Sequence, residues 1–120
     1  MTAYMINLVR DVTDREALER YWSRVGATYA DSGKLLVGYT PFEVVEGAGV
    51  PVWGVVLVEF PSMQAARDWY FGPEYQEVKK LRDGAMDIVS LFAEAGLVAA
   101  ADRRPPAGFV PPAHHGTPAP

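Results

Sequence analysis

Residues 55–85 read VVLVEFPSMQAARDWYFGPEYQEVKKLRDGA, and no other stretch restricts the fold of this chain as much. It opens as a Val/Leu/Phe run broken only by Glu59, the composition of a buried strand. Ser62 follows as a helix cap, and Ala65, Ala66, Trp69 and Tyr70 then fall on one helical face. Gly72-Pro73 breaks that helix and restarts it, because proline is at home in a first helical turn. The restarted helix carries Glu74 and Glu77 early and Lys79, Lys80 and Arg82 late, as the helix dipole favours. Its inward face is Tyr75, Val78, Leu81 and Ala85. The stretch therefore brings several polar groups next to a strongly apolar sheet, which is the combination a small-molecule pocket requires.

The flanking segments complete the pattern. Residues 3–9 are an apolar and aromatic strand with Asn7 as its one break. Thr13-Asp14-Arg15-Glu16 fits a Thr-x-x-Glu capping box. Leu18, Tyr21, Trp22, Val25 and Tyr29 recur behind it at helical spacing, and Gly33 stands where a left-handed C-terminal cap is expected. The spacing predicts a helix over residues 14–32. Residues 35–46 and 51–60 are expected to form an antiparallel hairpin around the GAGVP turn. Pro41 marks an edge position or a bulge in it, since proline cannot donate to a sheet ladder. Residues 87–93 read as the last strand, ending before Gly96.

The element order is β-α-β-β-α-β, an α+β class pattern. It is the ferredoxin-like arrangement, a four-stranded antiparallel sheet with helices on one face. Strand segments such as residues 55–58 and 35–37 are apolar on both alternating sets, so both sheet faces require cover. The helices cover one. The other is expected to be buried against a second copy, which predicts a two-fold homodimer with sheets packed face to face, a dimeric α+β barrel.

The 120 residues leave room for one domain, expected over residues 1–100. Six of the ten prolines fall in residues 105–120, so residues 101–120 read as a flexible Pro-rich tail that buries too little apolar surface to offset its ordering entropy. A net charge of −4 with scattered basic residues argues against a nucleic-acid partner. The absence of cysteine removes disulfides, thiolate nucleophiles and Cys-ligated metal. The opening MTAYMINLVR lacks the pattern of a signal peptide, and no apolar run approaches the ~18 residues of a membrane span. A cytoplasmic protein without a membrane partner is expected.

MTAYMI, the 55–85 stretch and the closing strand to Gly96 resemble the DUF1330 family, with EFPS…A…WY…PEYQ…LR..A as the specific string. The resemblance spans about residues 1–96. It implies the ferredoxin-like dimer reached above and no common reaction. The wider superfamily includes cofactor-independent monooxygenases, muconolactone isomerase-like enzymes and polyketide cyclases. Two features depart from the family pattern. Val37-Gly38-Tyr39-Thr40-Pro41 stands where a basic, glycine-rich turn is usual, and the Pro-rich tail is extra.

Glu59 is the first candidate for chemistry. Inside the protein its pKa would rise and it could act as a general acid or base; alternatively it pairs with Arg82 or lies at a sheet rim. Arg82 could orient a carboxylate or enolate through its fork of donors, or pair with Glu59 or Glu77. Tyr39, Tyr70 and Tyr75 offer phenols able to donate to a developing oxyanion. Trp22, Trp53 and Trp69 could line a flat aromatic pocket, although aromatics at such spacings also build cores. Asn7 is a further pocket candidate. His114-His115 lacks a third ligand on a fixed element and makes a poor metal site. No dinucleotide-binding, P-loop or nucleophile-elbow motif is present, and no metal or cofactor is expected.

Two readings of the whole stand. In one, Glu59, Tyr39, Arg82 and Tyr75 catalyse cyclisation, isomerisation or oxygenation of an aromatic or polyketide-like molecule, with Asn7, Trp22, Trp53, Trp69 and Tyr70 binding it. In the other, the protein is a non-catalytic, small-ligand-binding or protective dimer. Glu59 is the residue on which they part. A chain ending at Ala100 should keep both its dimeric sedimentation at micromolar concentration and its melting temperature. A monomer in the full chain would overturn the face-to-face packing, and one in the shortened chain alone would make the tail part of the interface.

Overall fold

The computed structural model describes residues 1–29, 31–96, 104–105 and 107–115. Its elements run β1 (Ala3–Val12), α1 (Arg15–Thr28), β2 (Lys34–Gly38), β3 (Gly54–Phe60), α2 (Met63–Phe71), α3 (Pro73–Lys79), a 3-10 turn (Lys80–Arg82) and β4 (Met86–Glu94). The four strands form one sheet in the order β2-β3-β1-β4 with every neighbouring pair antiparallel. This is the α+β, ferredoxin-like arrangement expected from the element order.

Local chemistry accounts for the element ends. Ser62 caps α2 by accepting from the Ala65 N–H at 3.0 Å. The cap of α1 is Asp14, one residue later than the capping box implies. Its carboxylate accepts from the Ala17 N–H, while Thr13 donates its hydroxyl to the Gly84 carbonyl instead. The helix ends at Thr28, not at residue 32, and Gly33 is no left-handed cap. A side chain there would sit 2.8 Å from the Tyr29 ring, so close packing is what requires glycine. The expected hairpin is shorter and its connection longer. β2 ends at Gly38, and residues 39–53 form a loop that contains Pro41. β2 is nonetheless an edge strand and has a bulge between Leu35 and Val37.

Pairing register assigns each side chain to a face. Ala3, Met5, Asn7 and Val9 of β1 lie in register with Phe60, Val58, Val56 and Gly54 of β3, all buried under the helices. Around them Tyr21, Ala66, Trp69 and Tyr75 complete the main core cluster. The alternate set, Tyr4, Ile6 and Leu8 against Glu59, Leu57 and Val55, forms the opposite face. β4 adds Val89 and Leu91 there, 44% and 46% exposed. An apolar face of this extent is left open in the single chain. In the described part of the Pro-rich segment, Arg104, Pro105 and residues 107–115 are exposed, and the His115 ring lies 5.7 Å from that of Phe71. The expected tail residues 101–103, 106 and 116–120 lie outside the described residues. No helix of the described residues is long and apolar enough to cross a membrane.

Gly72 joins α2 to α3 in extended backbone, and a Cβ there would meet the Asp68 carbonyl oxygen at 2.6 Å. Gly72→Ala should therefore cost about 1–3 kcal/mol in chemical denaturation, the usual range for forced overpacking. Gly49→Ala, in open space, should stay within about 0.5 kcal/mol of the parent.

Candidate functional site

Between α1 and the sheet lies a cavity of ≈ 260 Å³. Its floor draws on all four strands, with Leu35 and Gly38 on β2, Val56 on β3, Asn7 on β1 and Ile88 on β4. Its roof is one face of α1, comprising Tyr21, Trp22, Val25, Gly26 and Tyr29. Arg82 and Met86 close one end, and Tyr39 stands at the rim. Two lining residues are glycines: a Cβ on Gly38 would meet the Leu35 side chain at 3.1 Å, while Gly26 is exposed at the cavity's side. A Cβ on Gly26 would meet nothing within 4 Å.

Arg82 dominates the electrostatics. It is 8% exposed, and its Nε has no hydrogen-bond partner among the described residues. Neither expected carboxylate reaches it. Glu77 pairs with Lys80 at 2.8 Å, and Glu59 lies on the other face of the sheet, in register with Tyr4 and Lys34. The reason is strand periodicity: Val58 and Phe60 face the helices, so the residue between them cannot. Phenols take the place of carboxylates. Arg82 donates from a terminal nitrogen to the Tyr75 oxygen at 3.3 Å, and the Tyr75 and Tyr21 hydroxyls are 2.8 Å apart. The guanidinium also lies 5.4 Å from the centre of the Tyr21 ring, a cation–π contact.

Tyr75, 2% exposed, sits behind the cavity wall, whereas Tyr21 forms part of it. Burial, and then the neighbouring Tyr75, push the Tyr21 pKa well above its ordinary value. Burial is also the main cause that lifts Tyr29 to about 12. Tyr39 is raised by burial, against the opposing pull of the Trp22 hydrogen bond and the Arg82 charge. Burial works against the charge on Arg82, but the tyrosine oxygens outweigh it and its pKa ends above the ordinary value. At neutral pH the wall thus holds one fixed cation and several protonated phenols. Among the described residues it contains no carboxylate and no imidazole, so no described lining group is suited to be a general base. Among the described residues no three His, Cys, Asp or Glu side chains converge as a metal site.

At the mouth, Trp22 donates from its indole N–H to the Tyr39 hydroxyl at 3.2 Å. Trp53 stacks on Trp22 at 6.2 Å, and its backbone N–H is anchored to the Val9 carbonyl at 2.7 Å. Tyr39 packs edge-on to both indoles and takes a left-handed φ of 57°. That turn lays its ring against Gly54, where a Cβ would be 2.6 Å away. Tyr39 and Trp53 are 37% and 38% exposed, so this rim can be reached from solvent.

The candidates separate accordingly. Asn7, Trp22, Tyr39 and Arg82 line the cavity, Tyr75 supports it from behind, and Trp53 builds its mouth. Trp69 and Tyr70 belong to the core. Trp69 donates to Thr28 and packs among Tyr29, Phe60 and Tyr75, and Tyr70 packs on Tyr75 and Phe92. Sequence reasoning passed over Tyr21 and Tyr29, placing them in the apolar stripe of α1. The available signal was that a buried phenol requires a hydrogen-bonding partner.

A family model described as a domain of unknown function, DUF1330, matches residues 2–95. The chain belongs to the DUF1330 family. No curated protein sequence matches this DUF1330 chain. Among solved structures it is similar to a protein of unknown function from Rhodopseudomonas palustris, with a TM-score of 0.62 and 22% identity over 78% of this chain and 82% of that one. It is also similar to a dimeric ferredoxin-like protein of unknown function from Thermobifida fusca, at 0.56 and 15% over 79% and 92%. A third is the hydroxynitrile lyase of Passiflora edulis, at 0.58 and 15% over 77% and 91%. Some structural neighbours of the DUF1330 chain are thus enzymes, and others have no known function.

The raised tyrosine pKa values carry a pH signature. A phenol that ionises at 10.0 in the unfolded chain and about 12 when folded (Tyr29) favours the native state fully below pH 10. That contribution falls as pH rises through the folded value, because the unfolded chain then binds fewer protons. Tyr29 alone should remove roughly 2–3 kcal/mol across this window, at about 1.36 kcal/mol per unit. Denaturation between pH 9 and 12, with tyrosinate absorbance followed in parallel, checks both the slope and the late ionisation. A Tyr29→Phe variant should show a shallower decline.

Proposed function

We propose that this DUF1330 protein is an enzyme acting on a small aromatic or polyketide-like molecule, by isomerisation, cyclisation or oxygenation through an oxygen-centred anion and without a metal or redox cofactor. The observation that carries this reading is Arg82, a buried cation facing a ligand-sized cavity with no carboxylate among the described residues to neutralise it. Burying an unpaired charge costs several kcal/mol, and a ligand bearing or developing negative charge on oxygen recovers it. Tyr39 and Asn7 supply further polar contacts, and Trp22 and Trp53 offer flat apolar surface to a ring. A volume of ≈ 260 Å³ is about nine waters' worth at ~30 Å³ each, enough for one ring and its substituents. Glu59 is no longer the deciding acid–base group, since it lies across the sheet. Arg82 supplies electrostatic stabilisation in its place.

The lack of a carboxylate or imidazole in the lining favours a second reading, a non-catalytic ligand-binding module, and the same experiment separates the two. We also infer that a second copy covers the open apolar face of Ile6, Leu8, Leu57, Val89 and Leu91, giving a homodimer whose cavities lie outside the shared interface. The dimeric ferredoxin-like neighbour from Thermobifida fusca supports that assembly. A cytoplasmic location fits a protein of this kind.

Screening ring hydroxy and β-dicarbonyl compounds should identify a turned-over substrate. Gly26→Leu, which adds a large side chain at an exposed lining position of α1 where leucine is favoured, should weaken binding while leaving the melting temperature at or above that of the parent. Arg82→Met should lower kcat/KM at least about a hundredfold, the size of one lost anion-stabilising donor. Ligands that bind but never turn over in the parent would favour the binding module. Ligand binding undiminished in Gly26→Leu would remove the cavity from either reading.

A further inference from the structure

The hydrogen bonds behind the cavity wall have a direction. Arg82 has only donors, so the Tyr75 oxygen accepts from it. The Tyr75 proton then needs an acceptor, because that residue is 2% exposed and a buried hydroxyl left unpaired is costly. The Tyr21 oxygen, at 2.8 Å, is the acceptor the structure gives it. If Tyr75 donates to Tyr21, the Tyr21 proton is free to serve the cavity that its side chain lines. A chain of three residues, Arg82 to Tyr75 to Tyr21, thus presents the cavity with one phenolic donor polarised by a cation, beside the guanidinium whose Nε is also unpartnered. Among the described residues that line the cavity, every titratable group is a phenol or the guanidinium itself: Tyr21 on α1, Tyr29 just after it, Tyr39 at the rim and Arg82 on the 3-10 turn. None of them is suited to remove a proton from a ligand.

We propose that Tyr21 and Arg82 form an oxyanion site that holds its ligand as the anion, a phenolate or enolate, with Tyr75 the positioning residue that turns the Tyr21 proton toward the cavity. This rests on the small-molecule reading above and names the class of molecule that site accepts. On binding, the ligand's O–H bond breaks heterolytically. The proton leaves to solvent water through the half-exposed mouth, and the electron pair stays on the oxygen facing Tyr21 and Arg82. The site lowers the acidity threshold of its ligand where a lining base is lacking, so it selects acidic ring hydroxyls and enols over alcohols and simple ketones.

4-Nitrophenol is a direct probe, because only its phenolate absorbs in the visible. Titrated with pH in the presence of saturating protein, its ionisation midpoint should fall by about 1–3 units relative to free probe, the displacement an adjacent opposite charge imposes. Arg82→Met should abolish the displacement. Tyr21→Phe and Tyr75→Phe should each reduce it while leaving the affinity for nitrobenzene, the isostere without a hydroxyl, unchanged. A probe that binds with an unshifted or raised midpoint overturns the oxyanion site and leaves the cavity reading intact. A displacement that survives in Arg82→Met, or that is untouched in both tyrosine variants, overturns it as well. Failure of the parent to bind either 4-nitrophenol or nitrobenzene would defeat the small-molecule reading itself and this inference with it.

Discussion

A guanidinium buried without a carboxylate among the described residues is the constraint around which this protein is arranged. Arg82 ends the 3-10 turn that continues from α3, where the C-terminal end favours a cation. Its neighbours there are two phenols, which can accept hydrogen bonds without neutralising the charge. The arrangement holds because the segment carrying Arg82 is tied to α1. The Ala85 carbonyl accepts from the backbone N–H groups of Thr13 and Asp14, and Thr13 donates its hydroxyl to the Gly84 carbonyl. These bonds fix the start of α1 against the turn after Arg82, and so set Tyr21 relative to the cation. Arginine suits the position better than lysine, since its delocalised charge is less strongly hydrated.

The sheet separates two kinds of surface, and the sequence conceals which is which. Along β3 the side chains alternate between Val56, Val58 and Phe60 on one face and Val55, Leu57 and Glu59 on the other. Both sets are apolar enough to be core, so alternation alone cannot assign a face. The need to cover both faces was legible, because it follows from composition. The face of Glu59 was not, because it depends on pairing register with β1, which places Glu59 opposite Tyr4 and Asn7 opposite Val56. Glu59 therefore sits in the register row of Lys34 and Tyr4, on the face away from the helices.

The site was legible residue by residue and illegible as an arrangement. Arg82, Tyr39, Tyr75 and Asn7 stood out as polar groups in apolar or broken contexts, and each lies in or beside the cavity. Tyr21 did not stand out, since its spacing with Leu18, Val25 and Tyr29 makes a complete apolar stripe. Its partner Tyr75 is 54 positions away, a separation that only the packing of α1 on α3 closes. The left-handed turn at Tyr39 was equally hidden, because non-glycine residues seldom adopt it and nothing in Val37-Gly38-Tyr39-Thr40-Pro41 announces one. What the motif did show was a change of chemistry after β2. The structure makes that change a rim of three aromatic rings.

The aromatic side chains of this chain could have filled all the space beneath its helices, and they fill only part of it. Trp69, Tyr70, Tyr75, Tyr29, Phe60 and Phe92 pack against one another as core beneath the helices. Beneath α1 the floor and roof instead carry Gly38 and Gly26, and the rings of Trp22, Trp53 and Tyr39 gather at the mouth. Glycine in a helix interior costs about 0.5–1 kcal/mol relative to alanine, and Gly26 has no close neighbour that would exclude a larger side chain. A void kept for packing reasons would be apolar and dry. This one is walled by a cation, three phenols and the buried Asn7 Oδ1, which has no hydrogen-bond partner among the described residues. Polar groups of this kind set the hollow apart from a simple apolar packing void.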